Sequence, residues 1–466
     1  MEDQRAFADF SGDWNPMHMD PAAARRTQAG ACAVHGVHAT LWALDAGLPY
    51  GAIAHRVRAT FKRFVRLDAP VELVRSAGQT GSISLRCIQD ETEVVILDVW
   101  LGEALPKVAG ELDAIVDPPS VPSDREIEQM ESLKGVLPVP RGAQEFATAQ
   151  YPRLTGAIGA NRVCAIAVLS ALVGMHVPGL HSIFSALEFD LGDDAGPMEY
   201  AVTRVDPRFR LVEAEVRGSG VLASVRAFVR MPPTAPPKAA DLARRVPKGA
   251  FSDRRALVIG GSRGLGATTA LLLAAGGASV TLTFRSGFSE AKGVVDDIKQ
   301  AGFGGRAEAC QYDSLESARE QLACVGTPPN YLYYFATGKI DAGLSLALDR
   351  KRLSSYLDVY VEGFSNVVDG CLSLAGRNPL RCLYPSTVFI DSTPSGMAEY
   401  AMAKAAGEVM CAAMMRQRRN LSIDTPRLPR TLTDQTATVP PVPAADPVDV
   451  MLPILLAQTN PSKGSA

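Results

Sequence analysis

The stretch ALVIGGSRGLGATTALLLAAGG, residues 256–277, decides the fold of the second half of the chain. A short apolar strand pattern leads into a glycine-rich turn, and a helix pattern follows directly. A second strand pattern, SVTLTFR at 279–285, is followed by another helix pattern. Because strands alternate with helices, this half is predicted to be α/β, with βαβ units and a doubly wound parallel sheet.

The glycine-rich turn indicates a dinucleotide site. Glycines at 260, 264 and 266 let the backbone approach a pyrophosphate, which then lies at the N-terminus of the helix. The second strand is followed by Arg285, where an NAD enzyme usually has an acidic residue, so Arg285 and Arg263 suit the 2′-phosphate of NADP(H). The alternative is that both arginines are solvated surface residues. The predicted cofactor-binding residues of this region are Gly260, Ser262, Arg263, Gly264, Leu265, Gly266, Arg285 and Asp313, the last placed to face the adenine.

Tyr400 and Lys404 stand four residues apart in the sequence YAMAK. At this spacing both side chains share one helix face. A nearby ammonium lowers the pKa of a phenol, so Tyr400 is expected to exchange a proton with a carbonyl oxygen during hydride transfer. Taken alone, a tyrosine and a lysine at this spacing are common and carry little meaning.

Together, the glycine-rich turn, the segment FATG at 335–338 and the Tyr400/Lys404 pair resemble the short-chain dehydrogenase/reductase family over residues 253–437. The resemblance implies a Rossmann-type fold and an activity similar to that of 3-oxoacyl-thioester reductases. The further cofactor contacts that it implies are Ala336, Gly338 and Lys404, the last on the nicotinamide ribose.

Two positions depart from the pattern of that family. Tyr360 stands where the family commonly has a helix asparagine in its proton relay. Counting back from Tyr400 by the usual spacing of the family reaches Thr387, with Ser386 beside it. Either hydroxyl could orient a carbonyl as the third catalytic group.

The stretch FSGDWNPMHMDPAAA, residues 10–24, carries the chemistry of the first half. Asp13 and His18 are five residues apart, and the Asn-Pro pair between them forces a turn that can bring both side chains to one point. A carboxylate and an imidazole that share one water form a general acid/base pair near neutral pH. The alternative is an N-cap aspartate and a surface histidine before a short helix.

Residues 10–20 resemble the hydratase motif of MaoC-like (R)-specific enoyl-thioester hydratases. The sequence VHGVH at 34–38 resembles the start of the central helix in that family, and the whole resemblance covers residues 1–105. It implies a hot-dog fold in which the Asp13/His18 pair activates water.

The same resemblance assigns two substrate-binding roles. Asn15 is expected to hold the motif loop. The backbone N–H of Gly36, at a helix N-terminus, is expected to polarise the thioester carbonyl, since oriented backbone donors stabilise developing enolate charge.

Repetition and proline content predict the domain organisation. Residues 142–232 repeat the helix-then-strands outline of residues 1–117 without the catalytic motif, which predicts an α+β double hot-dog part. A proline-rich linker is expected at 233–252, before a reductase-like domain at 253–466.

Composition excludes several classes of function. A formal net charge of −3 gives no electrostatic case for nucleic acid or a membrane surface as a partner. The sequence contains no run of eighteen apolar residues, so no transmembrane helix is expected. The eight cysteines contain no C-x-x-C pair, which argues against a disulfide framework or a zinc site and fits a reducing cytoplasm; no metal is expected. A homo-oligomer is expected.

The two predicted chemistries are consecutive steps on one acyl chain. Reduction of a 3-oxoacyl thioester by NADPH gives a 3-hydroxyacyl thioester, and dehydration then gives the 2-enoyl thioester. The substrate is therefore expected to be a thioester of acyl carrier protein or coenzyme A. The alternative is a hydratase whose reductase-like domain only binds NADP(H) or acts as a scaffold.

Overall fold

The computed structural model describes residues 1–67, 69–78, 81–102, 104–106, 108, 118–303, 305–340 and 348–458. The chain divides into two compact units, Met1–Pro232 with Ala437–Val442 and Pro233–Thr436 with Pro443–Ala466. The expected end of the first domain, residue 117, lies outside the described residues, as do residues 459–466.

The first unit combines buried helices with antiparallel strands. Its helices are α1 (Glu2–Ser11), α2 (Pro16–Met19), α3 (Pro21–Ala24), α4 (Gly36–Gly47), α5 (Ala143–Gln150), α6 (Pro152–Ile158) and α7 (Ala160–Ala171). Its strands are β1 (Ile53–Phe61), β2 (Glu72–Ala77), β3 (Ser82–Gln89), β4 (Thr92–Gly102), β5 (Lys134–Val136), β6 (Ser182–Leu191), β7 (Glu199–Asp206), β8 (Leu211–Gly218) and β9 (Val221–Val229). A 3-10 turn covers Ile127–Met130, and a π-helical turn covers Leu172–His176.

The strands of this unit form one antiparallel sheet in the order β2-β3-β4-β1-β6-β9-β8-β7-β5. In each half a long helix, α4 or α7, precedes four strands, and the first of the four lies beside the last. The halves meet where β1 pairs with β6, with Val57 opposite Phe189 and Ala59 opposite Leu187. The predicted mixture of helix and sheet is confirmed, and the sheet runs without interruption from one half into the other.

The core of the first unit is formed by the inner face of the sheet and the two long helices. Along β9, Val221, Ala223 and Val225 are buried while the residues between them are exposed, as expected of a strand with one covered face. Helix α7 is buried along nearly its whole length, including the polar side chain of Ser170. A hydroxyl in such surroundings requires a hydrogen-bond partner.

The second unit alternates strands and helices. Its helices are α8 (Ala239–Leu242), α9 (Gly264–Ala275), α10 (Phe288–Ala301), α11 (Ala318–Gln321), α12 (Arg350–Leu357), α13 (Phe364–Ala375), α14 (Phe389–Ser392), α15 (Ala398–Gln417) and α16 (Pro447–Ala457). Its strands are β10 (Arg255–Ile259), β11 (Ser279–Phe284), β12 (Ala307–Gln311), β13 (Tyr331–Tyr334), β14 (Leu380–Leu383), β15 (Ser386–Thr387), β16 (Leu421–Asp424) and β17 (Arg427–Leu428). A 3-10 turn covers Leu322–Cys324, and a π-helical turn covers Asp358–Gly363.

The main sheet of the second unit is parallel, in the order β12-β11-β10-β13-β14-β16. This is the doubly wound order, with the first strand of the unit in the middle and later strands added on both sides. The direction of winding changes between β10 and β13, and ligands of such sheets bind outside the carboxyl ends of the strands at that point. The sheet therefore places the glycine-rich turn, which follows β10, at the expected binding crevice.

The segment expected to be a proline-rich linker differs from that expectation toward its C-terminal end. Ala239, Leu242, Val246 and Phe251 are buried in the core of the second unit. The physical reason is that α8 is too short to show a helical repeat in the sequence, while its apolar side chains still cover α9 and α10.

Two further features concern the cysteines and the membrane question. Cys310 and Cys324 form a disulfide that the sequence did not predict, because only the fold brings them together, with their Cα atoms 6.4 Å apart. The remaining cysteines are free and buried. Among the described residues, no single helix is long and apolar enough to cross a membrane, and the bent pair Pro152–Ile158 and Ala160–His176 meets that criterion only when taken together.

Candidate active sites

The motif loop of the first unit is held inside the protein. Helix α1 ends at Ser11, and Gly12 turns the chain with φ +76° so that Asp13 points inward. Asn15 caps α2, its side chain accepting from Met17 N at 3.0 Å, and Pro16 begins that helix. Asp13 is 2% exposed and His18 8%, which contradicts the alternative of a surface histidine.

Asp13, His18 and His35 converge at one point. One ligand atom of each residue lies within 4.8 Å of the other two. His18 Nδ1 donates to the Ala33 carbonyl at 2.7 Å, which leaves Nε2 as the acceptor of the neutral ring. The His18 and His35 rings stack with centroids 3.9 Å apart. The distances among the three residues would admit a metal ion, but both ring nitrogens of His35 already have hydrogen-bond partners, which leaves Asp13 and His18 to share one water with the substrate.

The later half of the first unit holds the motif loop in place. Asn15 Nδ2 donates to the carbonyls of Gly174 at 2.8 Å and Gly179 at 3.1 Å. Ser170 Oγ donates to Asp13 Oδ2 at 2.6 Å. Asp13 Oδ1 accepts from Asn15 N at 3.2 Å. The carboxylate therefore has a fixed orientation set by residues from both halves.

A line of polar groups leads from this loop toward the start of α1. His35 Nε2 donates to the Asp13 carbonyl at 3.0 Å, and His35 Nδ1 lies 2.9 Å from Gln4 Oε1. Gln4 Nε2 lies 3.4 Å from His38 Nδ1, and the His38 ring stacks on Phe7. The buried histidines of this region are thus oriented by hydrogen bonds rather than free to rotate.

Burial controls the proton affinities of these groups. It raises the pKa of the Asp13 carboxyl, outweighing the opposing effects of nearby His18 and of the hydrogen bond from Ser170. Burial, with His18 and His38 close by, holds the pKa of His35 well below its usual value, so His35 is neutral near pH 7. A carboxylate with a raised pKa is a better base near neutral pH than an exposed one.

Gly36 begins the central helix of the first half. It is the first residue of α4, where backbone N–H groups have no partner within the helix. The Phe61 ring lies against it, and a Cβ on Gly36 would come within 3.0 Å of that ring. The absence of a side chain at Gly36 therefore lets the Phe61 ring pack directly against the start of α4.

The glycine-rich turn of the second unit has the backbone geometry of a cradle. Gly260 has φ +75°, and a Cβ there would lie 2.8 Å from the Phe335 backbone. A Cβ on Gly266 would lie 2.2 Å from the Gly260 carbonyl oxygen. The turn is fixed by hydrogen bonds from Gly260 N to Thr283 Oγ1 at 3.1 Å and from Gly261 N to Thr283 O at 2.9 Å. Side chains at Gly260 and Gly266 would collide with the backbone of the neighbouring segments, so this tight turn requires glycine at both positions.

The remaining predicted cofactor residues surround this turn at the carboxyl ends of the strands. Arg285 follows β11 and is exposed, while Arg263 lies 3.9 Å from the buried Asp434 carboxylate. Asp313 follows β12, and its backbone N–H and carbonyl are both held by the Gln321 side chain. The other predicted contacts follow the same strand ends, with Ser262 and Leu265 in the turn and Ala336 and Gly338 after β13.

Tyr400, Thr387 and Ser386 resolve into two different environments. The Thr387 hydroxyl lies near enough to the Tyr400 phenol to oppose the rise that burial causes in its pKa. Ser386 Oγ instead donates to Glu408, whose carboxylate also binds the Arg427 guanidinium. Of the two hydroxyls left open by the sequence, Thr387 is the one beside Tyr400.

Lys404 does not act on Tyr400 as the sequence predicted. Burial raises the pKa of Tyr400 to about 12, so the expectation of a lowered value is wrong for this structure. Lys404 Nζ instead donates to the Pro385 carbonyl at 2.7 Å and lies 4.0 Å from the centroid of the Tyr360 ring. Burial lowers the pKa of Lys404 to about 7. The reason is that burial of the phenol itself dominates the pKa of Tyr400, while the Lys404 ammonium, with no carboxylate partner among the described residues, is itself disfavoured by desolvation.

Comparison with known families bears on the first of these two sites. Residues 1–80 match the family model described as a MaoC like domain. The MaoC-like match contains the whole stretch from Asp13 to Gly36, so the resemblance drawn from that stretch is confirmed there. The comparison with curated proteins found no match.

Solved structures similar to this chain include short-chain dehydrogenases and a 3-oxoacyl reductase. One is a short chain dehydrogenase from Burkholderia cenocepacia J2315 in complex with NADP, with 25% identity, 46% of this chain and 92% of that chain covered, and a TM-score of 0.39. A dehydrogenase/reductase from Sinorhizobium meliloti 1021 has 22% identity, 47% and 91% coverage and a TM-score of 0.40. A 3-oxoacyl (acyl-carrier-protein) reductase from Agrobacterium tumefaciens C58 with NADP bound has 27% identity, 40% and 74% coverage and a TM-score of 0.36. The doubly wound fold of the second unit is established by its own strand order and by the geometry of its glycine-rich turn.

Sequence reasoning missed several residues that support the MaoC-like site. Ser170 and Gly174 lie about 160 positions from Asp13, and neither carries a motif. A single serine within the apolar stretch AIAVLSALV was a signal, since a buried hydroxyl needs a partner. His35 was visible as part of VHGVH but was given no role. Gln4 lies outside every motif.

Proposed function

We propose that this protein is a bifunctional acyl-thioester enzyme, combining an (R)-3-hydroxyacyl dehydratase/enoyl hydratase with an NADPH-dependent 3-oxoacyl reductase. The first unit would be a double hot-dog comprising residues 1–117 and 142–232, and the second a short-chain dehydrogenase/reductase-like domain. The mirrored strand order about the β1–β6 pair supports the double arrangement.

The buried convergence of Asp13 and His18 on one point is the observation that carries the hydratase half of the proposal. During hydration the pair takes a proton from water as the water oxygen bonds to C3, and a proton is delivered to C2. The charge that develops on the thioester oxygen would be met by the Gly36 N–H at the start of α4. Asn15 and Ser170 hold the loop and the carboxylate, which fixes the geometry before substrate arrives.

The glycine cradle supports NADP(H) as the cofactor of the second unit. Gly260 and Gly266 permit a tight turn that leads directly into α9, and the free backbone N–H groups at the start of such a helix suit a pyrophosphate. Arg285 and Arg263 would hold the 2′-phosphate. Bound NADPH would supply a hydride to the substrate carbonyl carbon.

Tyr400 is the proposed proton donor of the reductase. Its phenol would deliver a proton to the carbonyl oxygen of a 3-oxoacyl thioester, while Thr387 orients that oxygen through the hydroxyl beside Tyr400. The high pKa of Tyr400 keeps the phenol protonated near pH 7, as a proton donor to the reduced carbonyl must be.

The position of Lys404 favours a second candidate function, in which only the hydratase is active. Lys404 faces the Pro385 carbonyl and the Tyr360 ring, and it is not among the groups that influence the pKa of Tyr400. In that case the second unit would bind NADP(H) without reducing a substrate. The carrier of the acyl group, acyl carrier protein or coenzyme A, is the same open choice for both candidates.

Both candidates are tested by incubating the full chain with acetoacetyl and crotonyl thioesters on each carrier. NADPH or NADH oxidation is followed at 340 nm, hydration by loss of enoyl absorbance, and products by mass. The bifunctional proposal requires both hydration and NADPH-dependent reduction. Hydration and NADPH binding without any reduction would support the hydratase-only candidate, and no hydration would refute both.

A further inference from the structure

Tyr360 occupies the centre of the second site. It is 1% exposed and lies in the π-helical turn Asp358–Gly363, a rare local structure that is frequent at functional sites. Its ring face lies under Lys404, its ring edge meets Tyr400 with centroids 5.6 Å apart at 77°, and its hydroxyl lies 2.6 Å from Thr337 Oγ1. One side chain thus contacts the proposed proton donor, the lysine and the segment after β13.

The hydroxyl of Tyr360 binds the segment after β13. Thr337 Oγ1 lies 3.0 Å from the Gly338 carbonyl, to which it can donate its proton. When it does so, the proton in the 2.6 Å contact comes from the Tyr360 phenol. Burial raises the pKa of Tyr360 well above its usual value, so this donor stays protonated across the working pH range. Tyr360 consequently anchors the Thr337–Gly338 segment.

The face of the Tyr360 ring provides favourable electrostatic contact to the buried Lys404 ammonium. Lys404 Nζ has one backbone acceptor, the Pro385 carbonyl, and lies against the faces of Tyr360 at 4.0 Å and Tyr384 at 4.9 Å. The attraction between a cation and an aromatic face is strongest where both are desolvated. Because Tyr360 is the closer ring, it contributes more to holding the charged form.

We propose that Tyr360 is a positioning residue of the reductase site, whose ring holds the Lys404 ammonium and whose hydroxyl holds the Thr337–Gly338 segment of the cofactor site. This inference rests on the proposed reductase function. It also gives a physical role to Tyr360, which stands where the family commonly has a helix asparagine. A direct aromatic and hydroxyl contact joins the lysine to the cofactor segment in this chain.

A purely structural role predicts something different. If Tyr360 only filled the core beside Tyr356 and Ala403, phenylalanine would replace it at no cost to cofactor binding. The stability effect of an apolar replacement of similar size would then not depend on Lys404. The positioning role predicts that the two functions of the side chain separate by substitution. Tyr360→Phe removes the hydroxyl and keeps the ring, and Tyr360→Met removes both while filling the space.

The ring function is tested by a double-mutant cycle of Tyr360→Met and Lys404→Met in the cofactor-free full chain. Denaturant unfolding at pH 6 should show a coupling of roughly tenfold in the unfolding equilibrium constant, falling below roughly twofold at pH 9.5. The pKa of Lys404 is about 7, so its ammonium is lost between these values. The other groups facing Lys404 are Tyr360, Tyr384 and Cys411, and burial raises the pKa of each, that of Cys411 to about 12. They stay neutral at both pH values.

The hydroxyl function is tested by NADPH binding to Tyr360→Phe. The dissociation constant should rise by roughly fivefold to tenfold, because the Thr337–Gly338 segment loses its anchor. The matched control is Tyr333→Phe, which removes another buried phenol of the same unit, bound to Arg254. It should leave NADPH affinity unchanged. Because this arm keeps the ring, it stands even if Tyr360→Met does not fold.

The outcomes separate this inference from the proposed function. Coupling at pH 6 in a protein that reduces no acyl thioester would overturn the reductase and leave the Tyr360–Lys404 contact supported. Absence of coupling at pH 6, or equal coupling at both pH values, in a protein that does reduce would overturn the ring function alone. Unchanged NADPH affinity in Tyr360→Phe would overturn the hydroxyl function.

Discussion

Substitution of Gly174 by alanine tests whether the later half of the first unit positions the Asp13 carboxylate, the proposed catalytic group. Gly174 lies in the π-helical turn after α7, and its carbonyl accepts from Asn15 Nδ2. A Cβ at this position would lie 2.1 Å from Asp13 Oδ1. Since an ordinary contact needs about 3.4 Å, the carboxylate must move by more than about 1 Å.

That displacement should affect chemistry more than folding. Moving Asp13 breaks its hydrogen bonds from Ser170 and Asn15, and a misplacement of about 1 Å costs on the order of 100-fold in rate. Overpacking in the interior costs about 1–3 kcal/mol of unfolding free energy. We therefore expect crotonyl-thioester hydration to fall about 100-fold in a protein that still folds.

The assay is loss of enoyl absorbance under saturating substrate, with urea unfolding measured in parallel. Gly156→Ala is the matched control, since Gly156 lies in helix α6 of the same unit and a Cβ there would meet nothing within 4 Å. It should keep full activity and gain up to about 1 kcal/mol in stability. Hydration by Gly174→Ala within twofold of the native rate would show that the position of the Asp13 carboxylate is not what the later half controls.

Three further outcomes are expected. Asp13→Asn should lower hydration about 100-fold or more. It should also flatten the pH dependence of the unfolding free energy. Burial raises the pKa of the Asp13 carboxyl, so above the usual carboxyl range only the unfolded chain releases this proton. The native protein therefore loses stability as pH rises through that range, and the variant does not. Urea unfolding from pH 4 to 8 measures this, and a native protein whose stability rises over that range relative to the variant would contradict it. Arg285→Ala should weaken NADPH by roughly 10- to 150-fold, corresponding to about 1.5–3 kcal/mol for a charge-assisted contact, and leave NADH nearly unchanged. Equal loss for both nucleotides in a fluorescence titration would refute the 2′-phosphate assignment. Tyr400→Phe should abolish reduction of acetoacetyl thioesters and leave hydration intact, and reduction at the native rate would remove Tyr400 from the mechanism.

The elements that the sequence predicted well are those whose signal is local. The glycine-rich turn after β10 and the loop from Asp13 to His18 each lie within fewer than twenty residues, and turn chemistry alone constrains them. The doubly wound order follows from the alternation of strands and helices, since right-handed crossovers allow few alternatives.

The features that the sequence did not predict depend on contacts between distant segments. The hydrogen bond from Ser170 to Asp13 spans 157 positions, and the serine carries no motif. The effect of Lys404 on Tyr400 was misjudged because helix spacing places two side chains on one face but does not report how deeply the ammonium is buried or which carbonyl it faces. Short apolar segments such as Ala239–Leu242 have too few residues to show a helical repeat.

The continuous pairing of β1 with β6 has a consequence for the number of hydration sites in one chain. The later half does not repeat the Asp13–His18 motif, yet it supplies Ser170, Gly174 and Gly179 as partners of the earlier loop. Under the proposed function the two halves are unequal: the earlier half would carry out the reaction, and the later half would hold its loop in place. Titration with a tight-binding transition-state analogue should therefore count one hydration centre per polypeptide. Substitutions in the later half should therefore lower hydration, although the proposed reacting side chains lie more than 150 positions earlier in the chain.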